Sequence, residues 1–179
     1  LLELAGQRVL LDPWLVGPLR FGRAGWLFEG TLPRDWTIPE QLDLLLLSQG
    51  LPDHAHPATL EQLPKTLPVV GSAGAVQQAC RFGFEQTQTL LPGECLQRGP
   101  LEIQASAGAP VPQVENGYLL RGAGESLYVE PHGFLDPALP AERLTAVITP
   151  VMDLGLPLAG AFVKGLSLIH ISEPTRHES

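Results

Sequence analysis

Leu44 to Leu47 form an unbroken apolar run between Asp43 and the polar stretch Ser48-Gln49-Gly50. Four residues are too few for a helix, and the run shows no alternation, so it predicts a strand buried on both faces, starting at Asp43. Upstream, Leu1 to Pro13 reads as a hairpin of two short strands around an Ala5-Gly6-Gln7 turn. Downstream, Pro57–Leu63 predicts a short helix with Pro in its first turn, and Val69-Val70 a short strand. A second helix is expected from Gly74 to Phe82, stopped by Gly83. Strands follow near Gln86–Leu90, Glu94–Gln97, Leu101–Ala105, Gly117–Arg121 and Ser126–Glu130. A last helix around Pro140–Arg143 and a strand at Ala146–Thr149 complete the pattern. Residues 14–39 have no period but carry Trp14, Phe21, Trp26, Phe28 and Trp36, which predicts a long irregular loop rather than disorder. Hairpins in the middle and strand–helix alternation over 43–90 suggest an α+β fold, two sheets with helices outside them.

The ends change what is counted. Leu166 to Ser179 resembles a translated sequencing-adaptor sequence, and its apolar pattern does not continue the preceding one. We therefore expect one native domain over residues 1–165 and a non-native tail over 166–179. The chain has no initiator Met and starts inside a strand-like run, so a fragment open at both ends is expected. The formal charge is -8, and the tail takes two acidic residues and one basic residue with it, which leaves -7. Lys65 and Lys164 are the only lysines and no basic stripe exists, which argues against nucleic-acid binding. No apolar stretch is long enough to cross a bilayer. Two cysteines, Cys80 and Cys95, are too few for a disulfide framework, so a reducing, cytoplasmic compartment is expected. Cys80 is expected to fill core space on the second helix.

The candidate chemistry lies where the leucine run ends. Without the tail, the remaining histidines are His54, His56 and His132, all next to carboxylates, in Asp53-His54-Ala55-His56 and Glu130-Pro131-His132. Asp and His delivered at a strand end are suited to a metal. Alternatively, Asp53 caps the helix that begins near Pro57, with His54 a buried polar residue satisfied by the backbone.

Here the sequence resembles the metallo-β-lactamase superfamily, whose signature is T-H-x-H-x-D-H after a buried strand. Ser48-Gln49-Gly50-Leu51-Pro52-Asp53-His54 aligns with it without gaps, and Asp12-Pro13 resembles the early Asp that ends the family's hairpin. The resemblance implies an αββα sandwich, truncated at both ends. It also implies that Gln49 and Leu51 replace two histidines of one metal site, and no histidine is present at Gly108–Pro112. Leu has no donor atom and Gln is a weak one for zinc. The Asp53-His54 half is retained, and Glu130 with His132 is the nearest match to the bridging carboxylate region.

These residues lead to the expectation of at most one divalent ion, zinc first, with iron or manganese as alternatives. Asp53, His54, Glu130 and His132 are its expected ligands, and Asp53 and His54 its catalytic groups. His56 and Gln49 are expected to hydrogen-bond behind a ligand and orient it. Trp14, Arg20, Arg23 and Trp26 would line a loop over a small-molecule substrate, unless the loop's aromatics only bury it against the sandwich. The implied activity is a hydrolase that uses metal-bound water. The alternatives are a metal-free binding module that kept only the fold, and an iron-dependent oxidoreductase or dioxygenase.

Overall fold

The computed structural model describes residues 1–21, 29–108, 115–140, 142–149, 157–158 and 161–162. Strands β1 (Leu2–Leu4) and β2 (Gln7–Leu11) form the expected antiparallel hairpin, Leu2 opposite Val9. Then come β3 (Leu19–Arg20), β4 (Glu29–Gly30), β5 (Leu44–Leu47), helix α1 (Pro57–Gln62), β6 (Val69–Gly71), helix α2 (Ala73–Arg81) and β7 (Thr87–Thr89). The second half holds β8 (Cys95–Arg98), β9 (Leu101–Ala107), β10 (Asn116–Gly122), β11 (Glu125–Val129) and β12 (Ala146–Ile148).

Two five-stranded sheets result, ordered β1-β2-β5-β6-β7 and β12-β11-β10-β9-β8. In the first, β2, β5, β6 and β7 run parallel. The second is antiparallel except for the β11–β12 pair. The leucine run explains its own burial. Leu44 and Leu46 point into the core between the sheets, with Val9, Val70, Ile103, Tyr118 and Leu120. Leu45 and Leu47 point the other way, into a second core with Leu60, Leu63, Ala75, Ala79 and Phe84 from the helical side. With both faces covered, the strand needs no polar positions.

Helix α1 is capped by His56, whose side chain accepts from the backbone N–H of Thr59. Asp53 does not cap it. Helix α2 is capped by Ser72 and buries Ala75 and Ala79, while Cys80, one position further round, is exposed rather than in the core. No helix forms at 140–143 among the described residues. Pro137 and Pro140 punctuate that segment, and Glu142 lies instead against Arg121, whose Nε donates to it at 3.0 Å. Within the 14–39 loop, β3 and β4 pair as a two-residue hairpin.

Two polar residues join the sheets at one end. The Asn116 N–H donates to Ser48 O at 3.0 Å, and the Tyr118 hydroxyl donates to Leu47 O at 2.8 Å. This stitching holds the start of β10 against the end of β5. The candidate site is built at that junction.

Candidate metal centre

Strands β2 and β5 are parallel neighbours, so their C-terminal ends deliver Asp12 and Ser48 side by side. Asp12 has φ of 37°, a left-handed conformation that Asp tolerates better than most residues. Its carboxylate accepts from the Ser48 N–H at 2.7 Å, the Ser48 hydroxyl at 2.5 Å and His54 Nδ1 at 2.9 Å. Between Ser48 and His54 the chain turns, with His54 N–H and Ala55 N–H both donating to Leu51 O. This turn brings Asp53 Oδ2 to 3.3 Å from His54 Nε2. The other oxygen, Asp53 Oδ1, is buried and has no hydrogen-bond partner among the described residues.

His132 arrives from the turn after β11, its ring centroid 5.1 Å from that of His54. Asp53, His54 and His132 each bring a donor atom within 4.8 Å of the others. One carboxylate, with an oxygen left unpartnered, and two imidazoles are a donor set that fits a divalent cation. Because His54 Nδ1–H donates to Asp12, Nε2 is the nitrogen left to face an ion, which would have to displace the proton that Asp53 helps hold there.

Charges in the site follow from these contacts. Burial alone would depress the pKa of His54, but hydrogen bonds and attraction from Asp12 and Asp53 outweigh it and raise it to about 10. Burial likewise pushes Asp53 upward, yet His54 and then its own backbone and His132 bring it below the usual carboxylate value. Burial raises Glu130, partly countered by backbone N–H groups of residues 132–134.

The structure sorts the other expected site residues. Glu130 Oε2 accepts from the His132 N–H at 2.8 Å, and its carboxylate is not among the converging donors. His56 is buried away from the cluster, with Nε2 at 3.2 Å from Pro18 O and Nδ1 on Thr59. Gln49 is buried and donates to Glu115 at 3.4 Å, whereas Leu51 is 48% exposed. Trp14 donates to Gly17 O at 2.9 Å and lies 5.9 Å from the His56 ring, so it packs the loop onto α1. Arg20 is exposed and paired with Glu29. Arg23 and Trp26 lie outside the described residues, as do residues 166–179 and the 109–112 segment.

The residue that sequence reasoning missed is Glu115, at the start of β10. It is buried, and its Oε2 contacts His132 Nδ1. No local motif marks it, since its partners are Gln49, far back in the chain, and His132 beyond β11.

The family model for the Beta-lactamase superfamily domain matches residues 1–169. The chain belongs to this superfamily. Its two sheets and flanking helices are those of the metallo-β-lactamase fold. Among curated relatives, cytidine monophosphate-N-acetylneuraminic acid hydroxylase of Cricetulus griseus is 40% identical over 70 residues, 37% of this chain and 12% of that protein. Among solved structures, CmlA, a diiron beta-hydroxylase from Streptomyces venezuelae, aligns with a TM-score of 0.51 and 23% identity, over 69% of this chain and 26% of that one. The isothiocyanate hydrolase from Delia radicum gut bacteria aligns with a TM-score of 0.55 and 17% identity, covering 72% and 57%. The match thus spans a small part of the hydroxylase and just over half of the hydrolase. Among the described residues, no helix is long and apolar enough to cross a membrane.

Proposed function

We propose that this member of the superfamily is a metal-dependent hydrolase of a small-molecule substrate, with one divalent ion held by Asp53, His54 and His132. The observation that carries it is the convergence of one donor atom from each of those three residues within 4.8 Å, with Asp53 keeping a second, buried oxygen that has no hydrogen-bond partner among the described residues. A divalent ion there would supply Lewis acidity, polarising a substrate oxygen and making water a nucleophile near neutral pH. The chain's own groups hold the protons. Asp12 keeps a proton on His54 Nδ1, so the ring cannot turn away. Asp53 offsets charge at the site, and Glu130 braces the turn that carries His132. Gln49 and Leu51 stand where the family's other histidines would be, which favours one ion over two.

A second reading is supported by the ligand types. Two histidines and one carboxylate also suit non-haem Fe(II), and two of the similar proteins carry hydroxylase names. Metal content and turnover test both. The wild-type chain should take up about one equivalent of zinc or iron and hydrolyse members of an ester and amide panel, and Asp53→Ala should lose both properties. Turnover only with iron, O2 and a reductant would shift the assignment to the second reading. Equal metal content in wild type and Asp53→Ala would sink the site, and a wild type without metal would reduce the chain to a metal-free binding module.

A further inference from the structure

We propose that Glu115 is the positioning residue of His132: it keeps the proton on Nδ1 and so leaves Nε2 as the nitrogen for a cation. This rests on the reading of His132 as a ligand.

The His132 side chain is 34% exposed and sits on a turn, where an unanchored imidazole would sample several rotamers. Glu115 Oε2 contacts its Nδ1, and the Glu115 side chain is only 5% exposed. A carboxylate is rarely buried to that extent unless it is paired. The backbone beside it is fixed, because the Asn116 N–H is bonded to Ser48 O at 3.0 Å.

Gly108 provides the space. A Cβ built there would lie 2.2 Å from Glu115 Cγ and 2.9 Å from its Cδ, so any other residue would push the carboxylate out. The arrangement repeats at the other histidine. Asp12, from outside the signature loop, holds His54 Nδ1 just as Glu115, the residue before β10, holds His132 Nδ1. Each histidine of the cluster therefore has its own carboxylate on the nitrogen that does not ligate, the pattern that fixes tautomer at metal sites.

Gln49 takes part in the same way. It stands at the place of a family histidine and gives its amide N–H to Glu115 at 3.4 Å. A position of the signature without a metal donor thereby supports His132, which lies outside the signature.

The test uses the whole chain, Zn2+ as the probe, and 15N spectra of the histidine rings recorded without metal. The wild type should show His132 as the Nδ1–H tautomer. Glu115→Gln, which preserves shape but not charge, should lose that single tautomer and bind zinc about 10- to 100-fold more weakly. Gly108→Ala, which keeps Glu115 but blocks its place, should do the same. An Nε2–H tautomer at His132 in the wild type overturns the inference, as does zinc affinity within about twofold of wild type in Glu115→Gln. If the wild type binds zinc no better than Asp53→Ala, the ligand reading fails. The metal-free tautomer still decides on Glu115: Nδ1–H lost in Glu115→Gln upholds its hold on His132, and no change overturns it.

Discussion

Replacing Asp12 with Ala removes one carboxylate that serves three donors: Ser48 N–H at 2.7 Å, Ser48 Oγ at 2.5 Å and His54 Nδ1 at 2.9 Å. Ser48 is fully buried and His54 is 9% exposed, so water reaches the abandoned donors poorly. The Ser48 hydroxyl oxygen can accept from His54 Nδ1–H, already 3.0 Å away, which leaves the Ser48 N–H and O–H stranded, two groups rather than three. At roughly 1–3 kcal/mol for each, the loss is about 2–6 kcal/mol. Ala in the left-handed conformation that Asp12 adopts adds about 1 kcal/mol. Asp12→Asn keeps an acceptor for Ser48 N–H and tolerates the backbone, so its loss should be roughly 1–2 kcal/mol. Urea unfolding of the metal-free chains, with an unchanged m-value, reads these differences. Zinc titration should show Asp12→Asn about 10- to 100-fold weaker, because the His54 tautomer is no longer fixed. An Asp12→Ala chain within about 1 kcal/mol of wild type would refute the reasoning, as would Asp12→Asn binding zinc normally.

The pH dependence of the metal-free protein follows from His54. Its pKa is raised from 6.5 to about 10, so its contribution is fully present below pH 6.5 and lost as pH rises through about 10. Urea midpoints of the wild type should fall across that window, and His54→Gln should flatten the curve; an equal slope in both would contradict the assignment. His56→Ala removes the α1 cap and the bond to Pro18 O, which should cost roughly 1–2 kcal/mol and leave zinc binding unchanged; lost zinc would place His56 in the site. Gly50→Ala would place a Cβ 2.5 Å from Gly74 O, so α2 must move, at roughly 1–3 kcal/mol by denaturation. Saturating zinc at about 100 times its Kd should add about 2.7 kcal/mol to stability, reversed by a chelator; no shift would mean that the folded state holds no ion.

Much of this architecture was written in local patterns. The leucine run specified a doubly covered strand because both its faces meet apolar neighbours. The Asp53-His54 pair was visible as a candidate because both residues sit on one turn of the chain. Glu130 stands outside the donor cluster, with one oxygen on a backbone N–H and the other, Oε1, buried without a partner among the described residues. Its position two residues before His132 puts its carboxylate over that residue's own N–H, so sequence proximity made it a brace of the turn and left it outside the converging donors. The carboxylate on the His132 ring is Glu115, brought there by the β10–β11 pairing, although no motif around Glu115 itself marks it. The helix expected at 140–143 failed for a related reason: a long-range ion pair with Arg121 takes Glu142 where a short, proline-flanked segment has little helical preference of its own.

A crystal of the chain grown with zinc and measured at the zinc absorption edge tests the central claim most directly. One anomalous peak bounded by Asp53, His54 and His132, with Glu115 on the far nitrogen of His132, is the predicted result. No peak at that site, or a peak liganded by Glu130 without Asp53, would contradict it.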